Sequence, residues 1–314
     1  MGRRNVRKPL ISVIMGVYNQ WDIEALKRAV NSVLAQTASD FEFIIWDDGS
    51  EQWVSDELRK LCVLDKRIIL AGRDENRGLA FSLNECIKLA KGKFIARMDA
   101  DDECLPDRFA RQVEFLETNK EYSWCGTCAE LFDEKGVWGY RNMPEVPNVK
   151  DYYRFSPYIH PSVMFRREVF DTDTGYLEEE ETYKCEDFEI FMRLIQKGLK
   201  GYNIQEPLFR YHESYESYRM RKPCYRISEA KVRFENYRKM GILFPFGWIY
   251  VLRPLVGCVI PGFVIGLCKR IEGRIARAER ENINDRFDTE EKIIDVSELR
   301  VGESLIRPKY GRLS

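Results

Sequence analysis

The sequence predicts an α/β fold in which helices cover both faces of a mostly parallel sheet. Short apolar runs rich in β-branched residues alternate, through about residue 120, with segments whose apolar residues recur at helical spacing. The chain has 314 residues, 44% of them hydrophobic, which is enough to bury a large core. Strands that alternate with helices favour parallel pairing, with both faces of the sheet buried.

Each element of the first 120 residues has its own signal. Apolar β-branched runs predict strands at 11–17, 41–46, 67–71 and 94–98. Helical spacing and terminal signals predict four helices: one capped by Asp22, one at 51–64, one from Leu79 that Gly92 closes, and one that Pro106 opens. The predicted order is therefore βαβαβαβα.

Polar clusters follow three of these strands, at Tyr18-Asn19, Asp47-Asp48-Gly49-Ser50 and Asp99-Ala100-Asp101-Asp102. Ligands of such sheets bind beyond the carboxyl ends of the strands. The carboxylates of Asp99 and Asp101 point the same way if the segment is extended, which suits Mg²⁺ or Mn²⁺. The alternative is a set of solvated acids that cap the next helix, and spacing alone leaves both open.

Several function classes lack their signatures. No Gly-x-Gly-x-x-Gly follows the first strand, and neither a phosphate-binding P-loop nor a Gly-x-Ser-x-Gly motif occurs. A net charge of -1 gives no general attraction to nucleic acid, so no nucleic acid is expected as a partner. Nine cysteines without a pairing framework favour a reduced, cytoplasmic compartment. Cys125 and Cys128 lie in an apolar, strand-like run, which favours packing over zinc binding.

Several short motifs, each weak alone, together resemble the family-2 glycosyltransferases with the nucleotide-sugar-binding GT-A fold. They occur in the family's order over roughly residues 9–215. The motifs are ISVIMGVYN (11–19), SVLAQT (32–37), DDGS (47–50), NRGL (76–79), ARMDADD (96–102) with PDRF (106–109), HPSVM (160–164) and ED (186–187).

The resemblance implies roles for the residues in these motifs. Asp99 and Asp101 match the Asp-x-Asp motif that binds Mn²⁺ or Mg²⁺ at the sugar-nucleotide diphosphate, with Asp101 as the closest ligand. Asp48 matches the aspartate that hydrogen-bonds the base ring. His212 lies where some relatives place a metal or diphosphate ligand, although a surface histidine is the alternative. The expected nucleotide contacts are Gly16, Val17, Tyr18, Asp47, Asp48, Asn76, Arg77 and Asp99.

The resemblance assigns the general base to Asp187. Residues 186–195 are predicted to be helical, and Asp187 shares a side with Ile190, Phe191 and Leu194. A partly desolvated carboxylate suits a base, whereas the alternative is an acid that favours the helix dipole. Glu186 is expected in the acceptor site.

Six further residues are candidates for contacts around the reacting groups. His160 is expected to line the acceptor site, with a hydrogen-bonded structural histidine as the alternative. Arg219 and Arg221 are candidates for covering the phosphates. Trp124, Trp138 and Tyr140 could stack on a sugar, with core packing as the alternative, which leaves these roles to be decided by the fold.

The expected reaction is an inverting transfer of a sugar from a nucleoside-diphosphate sugar, with UDP the commonest nucleotide of the family. The acceptor is expected to be a hydroxyl of a glycan or lipid-linked glycan, in the synthesis of a surface polysaccharide. Two alternatives are an inactive scaffold that binds sugar nucleotides and a nucleotidyltransferase. The second usually needs a glycine-rich loop after its first strand, which 16–19 is not.

The C-terminal third differs in composition from the rest. We divide the chain into a catalytic domain at 1–215, a basic and apolar helical region at 216–280 and a charged tail at 281–314; the catalytic domain has a nucleotide half at about 9–120 and an acceptor half at about 121–215. Residues 217–240 hold eight Lys or Arg against two Glu.

A membrane contact is predicted in this region. The uncharged run 254–268 is 15 residues long, shorter than the roughly 20 that span a bilayer. An in-plane or re-entrant pair of helices on an anionic leaflet is therefore predicted over 243–268, on the inner face of the cell membrane. A buried hairpin and a dimer interface are the alternatives.

Overall fold

The computed structural model describes residues 8–171, 175–179, 182, 184–214, 223–257, 260 and 262–280. Arg219, Arg221 and the tail from 281 therefore lie outside the described residues. The strands of the sheet are β1 (Ile11–Val17), β2 (Phe41–Asp48), β3 (Ile68–Arg73), β4 (Phe94–Arg97), β5 (Glu103–Cys104), β6 (Trp124–Asp133), β7 (Gly136–Arg141), β8 (Met164–Arg166) and β9 (Gly201–His212).

Helices pack against both faces of this sheet. They are α1 (Ile23–Leu34), α2 (Gln52–Leu64), α3 (Leu79–Leu89), α4 (Arg108–Thr118), α5 (Glu186–Gln196), α6 (Pro223–Lys239), α7 (Trp248–Val256) and α8 (262–280). Short 3-10 turns lie at Val149–Tyr153, His160–Ser162 and Arg167–Phe170, and a kinked helical turn spans Leu243–Gly247. The predicted cap of α1 is confirmed, since the Asp22 carboxylate accepts a hydrogen bond from the Ala25 N–H at 2.9 Å.

The first four strands confirm the predicted parallel sheet. β1 lies between β2 and β4 and is parallel to both, and β3 is parallel to β2. Val13 and Met15 of β1 face a core shared with α1, α2 and α4, whereas Ile14 faces a second core shared with α3 and α5. This alternation buries both faces of β1 and aligns the carboxyl ends of β1, β2 and β4 at one edge.

The second half of the sheet is mixed. The sheet order is β3-β2-β1-β4-β8-β6-β9-β5, with β7 beside β6. β8 is antiparallel to both β4 and β6, whereas β9 is parallel to β6 with two register shifts. The expected parallel arrangement therefore applies to the first four strands, because β8 enters from a 3-10 turn with no crossover helix.

Gly92 does not end α3, contrary to the sequence-based expectation. Ala90 is the C-cap, with its N–H donating to the Cys86 carbonyl. Gly92 instead permits a close backbone contact, since a Cβ there would lie 2.5 Å from the Ser12 nitrogen. Its role is therefore to let the chain pass beside β1 as β4 begins.

The interior of the acceptor half is apolar. Cys125 and Cys128 are buried in β6 with free thiols, and the one cluster of three potential metal ligands among the described residues does not include them. Trp124 is buried against Tyr158, Phe165 and Phe191. These contacts support the packing alternative for the cysteine pair and for Trp124.

The C-terminal helices follow β9. α6 contacts both α5 and α7, while α8 packs on the β6–β7 hairpin. Among the described residues, no helix combines the length and the apolar character needed to cross a membrane.

Candidate active site

The loops after β1 and β2 are tied together at the carboxyl edge of the sheet. The Asn19 N–H donates to Ser50 Oγ at 3.0 Å, and Asn19 Oδ1 accepts from the Glu51 N–H at 2.7 Å. Asp47 accepts from the Ser50 N–H at 3.0 Å and from the Ser55 hydroxyl at 2.5 Å. These bonds occupy Asp47 and fix the two loops as one rim of the site.

Gly16, Val17 and Tyr18 occupy three different environments at the end of β1. A Cβ at Gly16 would lie 2.9 Å from Ser82 Cβ, so this glycine lets α3 approach the strand closely. Val17 is buried in the core, whereas the Tyr18 side chain is 54% exposed. Of these three predicted nucleotide contacts, Tyr18 is the side chain most open to a ligand.

Asp48 holds the 76–78 loop. Its buried carboxylate accepts from Asn76 Nδ2 at 2.9 Å and from the Gly78 N–H at 2.7 Å, while the Arg77 N–H lies 3.0 and 3.1 Å from its two oxygens. Burial raises the pKa of Asp48, and the backbone N–H donors oppose that rise. The structure thus gives Asp48, Asn76 and Arg77 a shared structural role, while the contact of Asp48 with a base ring stays a prediction.

Three carboxylates meet just beyond β4. Asp99, Asp101 and Asp102 each place an oxygen within 4.8 Å of the others. Asp102 is buried, and its Oδ1 accepts from the His212 N–H at 2.7 Å. Its Oδ2 has no hydrogen-bond partner among the described residues. Burial raises the pKa of Asp102 well above its usual value, and the neighbouring Asp101 and Asp99 carboxylates add to the rise.

Arg97 is a functional candidate that the sequence argument missed. Its side chain is 2% exposed and forms an ion pair with Asp99, whose side chain is 31% exposed. Burial raises the pKa of Asp99, and the Arg97 guanidinium opposes that rise. Arg97 could have been found in the sequence as a charged residue at the end of an otherwise apolar strand, after Phe94-Ile95-Ala96. One buried cation therefore faces three carboxylates.

His212 lies beside this acid cluster, at the end of β9. Its Nδ1 is 3.6 Å from Asp101 Oδ2, and its Nε2 is 3.8 Å from Glu134 Oε1. The hydrogen bond to Asp101 raises the pKa of His212. The fold thus brings together Asp99, Asp101 and His212, although 110 residues separate His212 from Asp102 along the chain.

Tyr176 connects the acid cluster to the first turn of α5. Burial raises the pKa of its phenol, Arg97 opposes that rise, and the charges of Asp187, Asp99 and Glu186 add to it. These charges act on one phenol, so Asp187 and Asp99 both lie near it. Tyr176 was missed because its stretch of sequence carries no motif or periodicity.

Asn84 of α3 fixes the backbone of Tyr176. Its Oδ1 accepts from the Tyr176 N–H, and its Nδ2 donates to the Tyr176 carbonyl, both at 2.8 Å. A Cβ at Gly175 would lie 2.7 Å from Asn84 Oδ1, so glycine is required next to this clamp. The helix that packs on the parallel half therefore also positions a residue of the acceptor half.

His160 and Glu186 are both buried. His160 Nε2 lies 2.7 Å from the Tyr176 hydroxyl, and burial lowers the pKa of His160 well below its usual value. This neutral, hydrogen-bonded histidine fits the structural alternative. Burial raises the pKa of Glu186. Asp187 begins α5 and is partly exposed, but its role as a base stays a prediction, as do acceptor roles for His160 and Glu186.

The acid cluster has the chemistry of a hard-cation site. All three side chains offer carboxylate oxygens, the ligands that Mg²⁺ and Mn²⁺ prefer. Arg97 pairs with Asp99, and Asp102 Oδ2 has no hydrogen-bond partner among the described residues, so carboxylate oxygens remain available to a cation. The residues present therefore fit a divalent metal.

A parallel α/β sheet with a polar site at its carboxyl edge defines a class of ligand-binding enzyme folds. Within that class, this chain belongs to glycosyl transferase family 2, whose model matches residues 12–173. EpsE of Bacillus subtilis (strain 168), named for glycosyltransferase activity, is 33% identical over 82% of this chain and 92% of its own length. The amylovoran biosynthesis glycosyltransferase AmsE of Erwinia amylovora is 27% identical over 64% of this chain and 75% of its own length.

Solved structures show the same fold. S. aureus TarS 1–349 in complex with UDP-GlcNAc matches with a TM-score of 0.59 and 18% identity, covering 88% of this chain and 92% of that chain. The mannosyltransferase PcManGT from Pyrobaculum calidifontis, in complex with GDP-Man and Mn²⁺, matches with a TM-score of 0.54 and 15% identity, covering 87% of this chain and 85% of that chain. The chain is thus a glycosyltransferase with a GT-A-type fold.

Proposed function

We propose that the protein is a metal-dependent, inverting glycosyltransferase that uses a nucleoside-diphosphate sugar, with a UDP-sugar as the first candidate. The observation that carries this proposal is the cluster of Asp99, Asp101 and Asp102 beside the rim formed by the β1 and β2 loops. A diphosphate held by a divalent metal is the ligand chemistry that such a cluster suits. The UDP-GlcNAc and GDP-Man complexes of TarS and PcManGT agree with a donor of this class.

Asp99 and Asp101 would hold Mn²⁺ or Mg²⁺, with His212 beside them as a further ligand. When bound, the metal would supply charge neutralisation for the diphosphate leaving group. Arg97 favours the ionised form of Asp99 and orients its carboxylate through their ion pair. Asp102 accepts a hydrogen bond from the His212 N–H and so holds the end of β9, with His212, beside the cluster.

Asp187 is the proposed general base. It lies in the first turn of α5, and its charge raises the pKa of the Tyr176 phenol, as the charge of Asp99 also does. From there its carboxylate would take the proton of an acceptor hydroxyl as that oxygen attacks the anomeric carbon. A single displacement of this kind inverts the anomeric configuration and requires no covalent nucleophile, and positioned proton transfer contributes about 10²–10⁴-fold in rate.

The proposed acceptor is a glycan or lipid-linked glycan on the way to a surface polysaccharide. AmsE is named for amylovoran biosynthesis, and WbnJ of Escherichia coli, 29% identical over 64% of this chain, is named for O-antigen biosynthesis. We propose that the enzyme works at the cytoplasmic face of the membrane. A peripheral contact through 243–268 is part of this proposal. Nine large apolar residues of this segment are exposed: Phe244, Phe246, Trp248, Ile249, Leu252, Val256, Ile260, Phe263 and Leu267.

A thermal-shift panel with UDP, GDP, CMP and TDP, each with and without Mn²⁺, tests the donor site. A ligand at 100 times its Kd should stabilise the fold by about 2.7 kcal/mol. We expect a metal-dependent shift with one nucleoside diphosphate that disappears in Asp101→Ala. The exposed Asp56→Ala on α2 is the matched control and should keep the shift. No shift with any nucleotide would favour the inactive scaffold instead.

A further inference from the structure

Residues 175–178, which we call the bridging segment, tie α3 of the nucleotide half to α5 of the acceptor half. On the side of α3, the Asn84 amide bonds to both backbone groups of Tyr176. On the side of α5, the Gly175 carbonyl accepts from Arg193 Nη2 at 2.7 Å. The segment therefore connects the helix that begins at the loop of the predicted nucleotide contacts with the helix that carries the proposed base.

Asn84 uses both kinds of hydrogen-bonding group of its amide in this connection. Its Oδ1 accepts from the Tyr176 N–H, while its Nδ2 donates to the Tyr176 carbonyl and to Glu178 Oε1, each at 2.8 Å. The amide nitrogen thus has two acceptors for its two hydrogens. A carboxylate of the same size could not replace this amide, because it accepts hydrogen bonds but donates none.

Glu178 extends the connection to the 76–78 loop. Its Oε2 lies 3.6 Å from Arg77 Nη2, and the two side chains are 34% and 51% exposed, respectively. The Arg77 guanidinium also lies 4.4 Å from the ring centre of Phe81 on α3. An ion pair this long and this exposed adds little stability. The bonds of Asn84 are therefore the main connection between the two halves, and the Glu178 pair is a weaker one.

Two contacts transmit the position of the bridging segment to α5. Arg193 is held by Glu189 of the same helix, with nitrogen–oxygen distances of 2.8 and 3.1 Å, and its Nη2 also donates to the segment. The Tyr176 hydroxyl lies 2.7 Å from His160 Nε2, and the His160 ring is edge-on to Phe191 of α5, with ring centres 6.1 Å apart. The segment thus holds α5 on two sides.

Apolar packing alone does not determine where α5 lies relative to the donor site. Ile190 and Leu194 of α5 are fully buried, but the hydrophobic effect that buries them is non-directional. Hydrogen bonds depend on distance and angle, so they restrict the rotation of the helix and its shift along its axis. A misplacement of about 1 Å at the reacting groups can cost roughly 10²-fold in rate. A clamp of directional bonds between the two halves therefore bears on the reaction as well as on stability.

We propose that Asn84 is a positioning residue for the transfer, because it holds α5, and with it Asp187, in place relative to the bound donor. Asn84 acts through the backbone of Tyr176 and not on the reacting atoms. The proposal rests on the proposed function for the roles of Asp187 and the donor. For the clamp itself it rests on the contacts of the bridging segment.

Asn84→Asp tests the role, because it keeps the size and the Oδ1 acceptor of the side chain but removes both donor contacts. The probes are UDP-glucose, UDP-galactose and UDP-GlcNAc with Mn²⁺, with water in place of the acceptor hydroxyl, and the released UDP is measured. For a sugar nucleotide that the wild type hydrolyses, kcat of the variant should fall about 10–100-fold. The thermal shift with UDP and Mn²⁺ should remain, and a general loss of stability would not produce this split between rate and binding.

A second substitution and a matched control sharpen the test. Adding Glu178→Gln to Asn84→Asp reverses one lost bond, since the glutamine amide then donates to the aspartate, and the rate should recover about threefold or more. Asn236→Asp on α6 is the control. It keeps the bond that Asn236 accepts from Gln196 of α5 and loses the bond that it donates to the Val232 carbonyl. This variant undergoes the same chemical change at the far end of α5 and should keep the wild-type rate.

Hydrogen exchange of the ligand-free protein measures the clamp separately from turnover. In Asn84→Asp, residues 175–178 and the first two turns of α5 should exchange about tenfold faster, because two hydrogen bonds are lost, whereas the 76–78 loop should not change. An unchanged rate of UDP release, an equal loss of nucleotide binding, or an equal rate loss in Asn236→Asp would each overturn the positioning role.

The two proposals fail in different ways. No UDP release and no nucleotide-dependent shift in the wild type would reject the proposed function. Unchanged exchange in Asn84→Asp would reject the clamp, whatever the wild type does with nucleotides.

Discussion

Two groups of buried charge in this molecule differ in how far their acids and bases are balanced. Beneath α8, Arg270 pairs with Asp133, while Lys269 and Arg141 both contact Glu213, so each carboxylate has a cation within 3.2 Å. Beyond β4, Arg97 pairs with Asp99 in a cluster of three carboxylates, His212 lies beside Asp101, and one buried oxygen has no hydrogen-bond partner among the described residues. The first arrangement closes an interface within the protein, and the second has the ligand chemistry of the proposed cation site.

The comparison gives a way to separate structural from functional charge. A buried ion pair adds little net stability, but it is costly when one partner is missing. We therefore expect the cluster beyond β4 to gain stability from a bound cation, as the proposed function requires.

The largest effect is expected at Asp187, which lies outside both charge clusters. Asp187→Asn should lower kcat by about 10²–10⁴-fold, because the acceptor hydroxyl loses its base. The metal-dependent thermal shift with nucleotide should remain, in contrast to Asp101→Ala. Initial rates with a saturating donor, measured beside the shift, provide the check. Equal loss of rate and nucleotide binding would mean that Asp187 supports the donor site instead.

Removing Arg97 should destabilise the fold and make it depend on metal. Arg97→Met leaves Asp99 without its cation and should lower the free energy of unfolding by about 3 kcal/mol, near the lower end for a broken buried pair because Asp99 is partly exposed. Mn²⁺ should restore more stability to this variant than to the wild type, since it replaces the missing positive charge. Urea unfolding with and without Mn²⁺ measures both.

Arg270→Met is the matched control for this experiment. It breaks the buried pair with Asp133 beneath α8, so it should also destabilise the protein. Mn²⁺ should not rescue it beyond the effect seen in wild type, because Asp133 is not in the cluster of three carboxylates found among the described residues. Equal rescue of both variants would remove the distinction between the two kinds of buried charge.

Sequence patterns predicted the parallel half well, because each strand and helix there is long enough to show its period. The bounds of β1, β2 and α5 agree closely with the expected segments, and the i, i+2 spacing located Asp99 and Asp101. By contrast, β5 and β8 are two and three residues long, too short for any periodicity to be visible. Their antiparallel pairing depends on contacts with strands that are distant in the sequence.

Arg97 and Tyr176 could not be predicted from the sequence, and the physical reason is the same for both. Arg97 and Tyr176 act through burial and through neighbours that are distant in sequence, such as Asn84 and His160. For α8, the uncharged run ends at Cys268, and the arginines that follow suggested that the apolar segment ended there too. The structure shows that Arg270 and Arg277 point inward, so the apolar face continues past them.

A smaller effect is expected from His160, a buried group that carries no charge. Because burial lowers its pKa well below 6.5, the unfolded chain binds a proton below pH 6.5 before the folded chain does. His160 therefore stabilises the fold fully above pH 6.5, and its contribution falls by up to about 1.4 kcal/mol per pH unit below that. His160→Gln should flatten the decline in stability between pH 6.5 and 5, as measured by urea unfolding.

The other histidine provides the contrast. His212 has a raised pKa because of Asp101, so its contribution is complete below the unfolded pKa and is lost as pH rises through the folded value. In metal-free protein, stability should therefore rise as pH falls through the folded pKa of His212 toward 6.5, and His212→Gln should remove that gain, whereas His160→Gln acts below pH 6.5. A change in the same pH range for both variants would contradict the opposite pKa shifts of the two histidines.

The smallest effect is expected at an ordinary partly exposed pair, Asp65 with Arg67, far from both buried clusters. Hydrogen bonds from the Arg67 side chain and N–H lower the pKa of Asp65 from 3.8 to about 2, so its contribution is present above pH 4 and is lost as pH falls toward 2. Asp65→Asn should cost less than about 1 kcal/mol at pH 7, because solvent screens such pairs.

The cost of Asp65→Asn in unfolding free energy also gives a reference value for the cost of the buried variants. The difference in unfolding free energy between wild type and Asp65→Asn should shrink as the pH of the urea titration is lowered from 5 toward 2.5. Asp56→Asn, at a more exposed pair with Arg59, should show almost no difference at any pH. A cost at Asp65 as large as that at Arg97 would mean that burial does not set the strength of these pairs, and the contrast between the two clusters would lose its physical basis.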